Sequence, residues 1–310
     1  ERWLMTYRRM RKQELSIKIK PTNSSSNILY EPDFIFNDVK QYLEKKYPDE
    51  LVIDSQEKVG IDFFTKKMLN NENFTFVKYG DGEIICMIGG KGENCDHHPY
   101  SDKLAKELEI SFVKLLKFYD DVYLAEWIDN LVKTRESYIN VNGLKPKFAD
   151  YECFLTLKEN LSDKKLLNFY TLIKNTKRKK IVVGPKKLKK VTTMLEIDNF
   201  VEVPIINAFS DYERVINELV QIGVDNDNIY LLCCSMMSCL ICSDLKEMNK
   251  EITLLDIGSG LDPIFGERTR PKQPSEEECV KYFKNLLPKD HTFQKKKNAV
   301  KLLNNISSDF

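Results

Sequence analysis

The sequence predicts an α/β fold, a Rossmann-like and mostly parallel sheet with helices on both faces. Three observations predict it. Short runs rich in Ile, Val and Leu recur from the region of residue 74 onward. Each is followed by a segment whose apolar residues fall at helical spacing. Glycines or small polar residues stand where run meets helix, as at Gly80, Gly184 and Gly258. Apolar strands without polar alternation belong to sheets buried on both sides, and strand–helix repetition makes such sheets parallel.

Taken in order, the first 55 or so residues are mixed: a polar patch from Asn23 to Asn27 reads as a linker, and Asp38–Tyr47 as a short helix stopped by Pro48. Phe74–Lys78 reads as a buried strand leading into Gly80-Asp81-Gly82-Glu83. Leu104, Leu108, Phe112 and Leu115 mark a helix over Asp102–Phe118. Val122–Ala125 and Ile181–Val183 are the next strands, the latter followed at once by Gly184-Pro185 and a helix over Lys186–Leu195. Val201–Ile205 is strand-like, and Tyr212–Ile222 is helical, with Val215, Leu219 and Ile222 on one face. Ile229–Cys233 is a strand, Met237–Met248 a helix and Ile252–Ile257 the last strand. Ser275 and Glu278 form a capping box that opens a terminal helix ending before Pro288, and the tail from Lys295 is polar.

Composition removes several functions. The 310 residues carry 48 Lys plus Arg against 47 Asp plus Glu, a balance that calls for no nucleic acid. The longest apolar run, Ile229–Cys242, is interrupted by serines and falls short of the roughly 20 residues a membrane span needs. No basic stretch followed by an apolar core reads as a signal peptide, and the eight cysteines, four of them within residues 233–242, look like small core residues. The expected compartment is the cytoplasm.

In a parallel sheet, ligands bind beyond the carboxyl ends of the strands. That rule points to Gly80–Glu83, Gly184–Lys186, Asn207, Cys234–Ser235 and Asp256–Gly260. Asp81 and Glu83 lie one residue apart at a strand end, a spacing at which both carboxylates can face a hard divalent cation. Mn²⁺ or Mg²⁺ held there takes its remaining oxygens from a diphosphate and offsets charge on a leaving nucleoside diphosphate. The same triplet also fits a solvated turn. Gly184-Pro185-Lys186-Lys187 opens a helix, where backbone N–H groups and Lys186 or Lys187 suit a phosphate, or where the lysines are a solvated face. Cys95-Asp96-His97-His98 has no spaced partner pair, so it reads as a polar loop over the site and not as a zinc centre. Trp127 and Tyr100 are candidates for stacking on a base or sugar, or for packing. Asp256-Ile257-Gly258-Ser259-Gly260 looks like the first motif of S-adenosylmethionine-dependent methyltransferases, although it stands near the chain's end and not on a first strand.

The string Lys78-Tyr79-Gly80-Asp81-Gly82-Glu83 resembles the signature of the GT-D type glycosyltransferases, a basic residue and an aromatic before G-D-G-E. Further segments agree in order: Ile181–Pro185 with that family's strand and glycine turn, Pro204–Tyr212 with its P-x-x-N-A-F-x-x-Y segment, Leu231–Leu245 with its small-residue turn and helix, and Asp256-Ile257-Gly258 with its closing D-I-G strand. The resemblance covers about residues 58 to 268.

It implies a GT-D fold, a UDP-sugar donor, a hydroxyl acceptor on a glycan or glycoprotein, and Mn²⁺ or Mg²⁺ at Asp81 and Glu83. Lys78, Gly80, Gly184, Pro185, Lys186, Asn207, Ser235 and Gly258 would contact the nucleotide sugar. Asp262, just past a strand end where the family carries carboxylates, is the candidate general base, with Glu267 and Asp96 as rivals. Lys78 stands where the family usually has Arg, Cys233-Cys234-Ser235-Met236 replaces a G-P-T-A type turn, and Ser259 replaces a histidine. These departures bear on donor sugar and acceptor. The implied organisation is an extension over 1–57, a catalytic domain over 58–270, and a helix with polar tail over 271–310. Methyl transfer from S-adenosylmethionine and a non-catalytic nucleotide-binding domain are the competing readings.

Overall fold

A computed structural model describes residues 58–126, 132–265, 268–270 and 272–287. The expected linker at 23–27, the helix at 38–47, Trp127, Glu267 and the tail from 295 lie outside these described residues. The elements run α1 (Ile61–Leu69), β1 (Thr75–Lys78), α2 (Asp81–Met87), α3 (Asp102–Phe118), β2 (Val122–Glu126), α4 (Val132–Val141), β3 (Lys147–Asp150) and α5 (Lys165–Asn175). They continue with β4 (Lys180–Pro185), α6 (Val191–Leu195), β5 (Asn199–Val203), α7 (Tyr212–Ile222), β6 (Ile229–Leu232), α8 (Met237–Met248), β7 (Thr253–Asp256) and α9 (Glu276–Tyr282). Among the described residues no helix is long and apolar enough to cross a membrane.

The seven strands form one sheet in the order β3-β2-β1-β7-β6-β4-β5, and every pairing is parallel. Alternate strand residues feed opposite cores. Val77, Leu124, Val183, Leu232 and Leu254 pack beneath α2, α3, α7 and α8. Phe76, Ala125, Val182, Leu231 and Leu255 pack on the other face with Phe64 of α1, Phe169 of α5 and Cys279 of α9. Arg178 ties the lower rim, its guanidinium donating to Asp227 O at 2.6 Å and Thr253 Oγ1 at 2.9 Å.

Helix bounds anticipated for α3, α7 and α8 are those observed. The Ser275–Glu278 capping box is present, with Ser275 N–H donating to Glu278 Oε2 at 2.7 Å. Two differences matter for the site. Lys186–Leu195 is not one helix but a 3-10 turn over Lys186–Lys190 followed by the short α6. In addition, α1, α2, α4, β3 and α5 were not anticipated. β3, Lys-Phe-Ala-Asp, buries only its two central residues and pairs with β2 on one side and a single residue, Val59, on the other, so its pattern is too short to stand out.

β1 and β7 are ladder partners only through Thr75↔Leu254 and Phe76↔Leu255. Beyond that point β7 keeps its bond to β6, Ile257 N–H donating to Leu232 O at 3.1 Å, while the Lys78 N–H turns to the Asp256 side chain at 3.2 Å. The strands therefore part at their carboxyl ends where the strand order reverses, the place at which such sheets open a crevice.

The 3-10 stretch Gly258–Phe265 follows β7 and is stitched to the chain after β3: Gly260 O accepts from Thr156 N–H at 3.3 Å and from Thr156 Oγ1 at 2.5 Å. A Cβ on Gly260 would lie 2.4 Å from Phe154 O, a backbone atom with no freedom to move alone. Gly260→Ala is therefore expected to lower unfolding free energy by about 1–3 kcal/mol in urea titrations. An unchanged midpoint would show that this junction is loose.

Candidate active site

The carboxyl ends of β1, β4, β6 and β7 frame a cleft of about 850 Å³. Its first wall is the start of α2. Gly80 N–H donates to Glu83 Oε2 at 3.0 Å, closing a capping arrangement, and Gly82 N–H donates to Asp81 Oδ1 at 3.0 Å. Asp81 is thereby left exposed at the cleft while Glu83 is half-buried. The glycines on either side are needed for packing: a Cβ at Gly80 would come within 3.1 Å of the Tyr151 hydroxyl, and one at Gly82 within 3.1 Å of Asn94 Cβ.

Behind this wall sit Lys78 and Asp256. Lys78 is buried, its ammonium 5.3 Å from the Tyr151 ring centroid and 3.3 Å from where a Gly258 Cβ would be. Burial pulls its pKa down, against the pull of Asp256. Burial pushes Asp256 up to about 6, with Lys78 opposing. Glu83 is pushed up to about 8, first by burial, then by the Asp256 and Asp81 carboxylates. Asp81, Glu83 and Asp256 thus crowd negative charge around a single buried ammonium.

The opposite wall comes from the chain after β7. Buried Asp262 accepts from Thr269 Oγ1 at 3.0 Å and lies 3.5 Å from Lys187 Nζ. Gln273, fully buried, shapes this wall by accepting from Thr269 and Arg270 N–H at 2.7 and 2.9 Å and donating to Ser259 O at 3.0 Å. Across the top runs a strap, residues 90–99, built on Asn94. The Asn94 amide donates to Ser235 Oγ at 2.8 Å and its Oδ1 accepts from the N–H groups of Asp96 and His98. Asp96 then holds Arg270 at 3.0 Å, and His98 Nδ1 accepts from Ala208 N–H at 3.2 Å. His97 pairs with Glu93 at 2.6 Å. The Asp96, His97 and His98 side chains therefore go to separate partners, and Cys95 is exposed at the cleft. Among the described residues no three His, Cys, Asp or Glu side chains form a ready metal cluster.

Of the residues singled out from sequence, Lys78, Gly80, Asp81, Glu83, Pro185, Ser235, Gly258 and Asp262 all line this one cleft. Gly184 is buried outside the lining, where a Cβ would come within 3.1 Å of Leu188 Cδ1 and 3.2 Å of Cys233 Cβ. Lys186 is exposed and Lys187 lines the cleft, both on the 3-10 turn that follows Pro185. Asn207 is outside the lining; its φ of 53° puts it in the left-handed region that Asn tolerates, turning the chain toward α7. Gly260 is fixed by its contact with Phe154, so it does not present open backbone to a cofactor. Of the two lysines offered for a phosphate, Lys187 is the one in the lining, while Tyr151, Asn94 and Arg270 are lining residues that the sequence did not single out. Asn94 carried a usable signal, an Asn two residues before Asp96 in a glycine-flanked turn.

No family model and no curated protein matches the chain. Solved structures do match. One, described as the highly conserved domain of unknown function 1792 with a distinct glycosyltransferase fold, superposes with a TM-score of 0.51 at 17% identity, over 79% of this chain and 92% of that one. Another, a selenomethionine-substituted structure of a domain of unknown function 1792, gives 0.49 and 16% over the same shares. The first likeness shows the fold: this α/β chain is similar in architecture to a domain with a glycosyltransferase fold.

The raised Glu83 pKa has a consequence for stability. The folded protein binds this proton more tightly than the unfolded chain, whose carboxyl titrates near 4.5, so ionisation costs stability as pH rises from there to about 8. With chelator present, Glu83→Gln, which keeps the cap to Gly80, is expected to melt about 2–4 °C above the parent at pH 8. The two melting curves should converge toward pH 5. A gap independent of pH would contradict this.

Proposed function

We propose that the chain is a metal-dependent glycosyltransferase that moves a hexosyl group from a nucleotide-sugar, a UDP-sugar, to a hydroxyl of a glycan or glycoprotein. The observation that carries the reading is the pairing of charges in one cleft: exposed Asp81 beside Glu83 and Asp256 on one wall, Lys187 and Arg270 on the other, Lys78 at the back. A volume of about 850 Å³ suits a ligand of nucleoside-diphosphate-sugar size. The likeness in fold to a domain with a glycosyltransferase fold supports the same class.

The donor set fits a hard divalent cation held by two carboxylates and the ligand's own oxygens. Asp81 is open to the cleft, and Glu83 is raised by carboxylates that a cation would offset. Asp81 and Glu83 would hold Mn²⁺ or Mg²⁺, which when bound supplies neutralising charge to the diphosphate. Lys78 and Lys187 would face the phosphates, Lys187 taking the role for which Lys186 and Lys187 were both candidates. Tyr151 and Gly80 shape the floor beneath them, and Ser235 and Gly258 border it. An acceptor hydroxyl attacks the anomeric carbon, the bond to the diphosphate oxygen breaks, and the hydroxyl proton passes to Asp262. Thr269 and Lys187 keep that carboxylate oriented.

Calorimetry with UDP tests the donor site. Binding is expected to require Mn²⁺ and to weaken at least about tenfold in Asp81→Ala, the loss of one metal ligand. Binding that is indifferent to both the metal and Asp81, or none at all, would sink the reading. For the base, Asp262→Asn is expected to lower kcat by about 10²–10⁴ while UDP binding persists. Undiminished turnover would remove Asp262 from the role.

A further inference from the structure

The chain leaving β5 ends in a feature that the transfer chemistry does not require. Ile205 and Ile206 are consecutive and 62% and 56% exposed. Among the described residues the other large exposed apolar ones, Leu69, Phe118 and Val141, stand singly, each the last residue of its helix (α1, α3 and α4). The β4–β5 ladder ends at Pro185↔Val203, so Pro204 and its two isoleucines leave the sheet beside the turn that starts at Lys186. On that turn Lys186, Lys189 and Lys190 are exposed, and none forms an ion pair among the described residues. On the chain after the isoleucines, the Lys103 ammonium lies 5.6 Å from the Phe209 ring centroid. Nearby carboxylates are spoken for: Asp211 and Glu218 pair with Arg214 at 2.6 and 2.5 Å, the Glu202 charge lies in the field of the same guanidinium, and Glu196 lies 3.7 Å from Lys174.

We infer that this lip, Ile205 and Ile206 with Lys186, Lys189 and Lys190, seats on an anionic lipid surface. Branched aliphatic side chains can enter the boundary between headgroups and acyl chains, while lysines beside them reach lipid phosphates. Each lysine near such a surface adds an attraction that salt weakens. A nucleic acid would meet the lysines but leave the isoleucines without a partner. Pro204 and Ile205 also line the cleft, so docking at this lip brings the cleft mouth to the surface. That the acceptor is therefore carried at the surface rests on the transferase reading; the docking itself does not.

The test is sedimentation of the full chain with vesicles of phosphatidylcholine alone and mixed with phosphatidylglycerol. The expected result is binding to the mixed vesicles, at least about fivefold weaker on the neutral ones and reversed by added salt. Ile206→Asp and the double variant Lys189→Glu with Lys190→Glu should each weaken it at least about fivefold, while Leu69→Asp, away from the lip, should not. Absence of binding to mixed vesicles, or equal binding by the lip variants, overturns the inference. So does retention on a soluble polyanion such as heparin without retention on vesicles, which would mark an acidic macromolecule as the partner. UDP calorimetry on the same preparations separates the two readings. Vesicle binding without UDP binding removes the transferase reading and leaves the lip; UDP binding without vesicle binding does the reverse.

Discussion

The cleft depends on where β1 and β7 stop pairing. Had the ladder continued past Phe76↔Leu255, the Lys78 N–H would have a backbone acceptor and no crevice would open between the two strands. Instead the Asp256 carboxylate takes that N–H at 3.2 Å, so the strands diverge without leaving a buried donor unsatisfied. The cost is a carboxylate under burial with Glu83 close by, and the Lys78 ammonium offsets part of it. One side chain thus ends a β-ladder, opens a binding crevice and sets the charge at its base.

The remaining walls are secured by connections between distant parts of the chain. The strap on Asn94 reaches Ser235 after β6 and, through His98, Ala208 after β5. The wall shaped by Gln273 reaches Ser259 after β7 and meets the strap through Arg270 and Asp96. Rim residues from four strand ends are therefore held relative to one another by side-chain hydrogen bonds, where a parallel sheet by itself fixes only the strands.

Legibility in the sequence followed the strength of local patterns. The bounds of α3, α7 and α8 could be read because each carries a long apolar stripe, and the start of α9 because Ser275 and Glu278 form a local cap. β3 and α4 escaped: β3 has two buried residues, and the apolar positions of α4 are diluted by Lys, Arg and Glu. Tyr151 was lost with β3, since the strand-end rule needs the strand. The choice between Lys186 and Lys187 stayed open for a different reason: the 3-10 turn after Pro185 cannot be told from an α-helix over five lysine-rich residues. Arg270 and Gln273 act through contacts made only by the folded chain. The strand-end glycines and carboxylates were legible because a tight turn between strand and helix admits few residue types.

The cysteines lead somewhere else. All eight are free thiols, and seven of them are buried. Cys95 alone is exposed, on the strap at the mouth of the cleft. A thiol-reactive fluorophore or spin label offered to the native protein therefore has one address, beside the ligand space and on the segment that bridges its walls. The unaltered chain comes with its own attachment point for a reporter of occupancy.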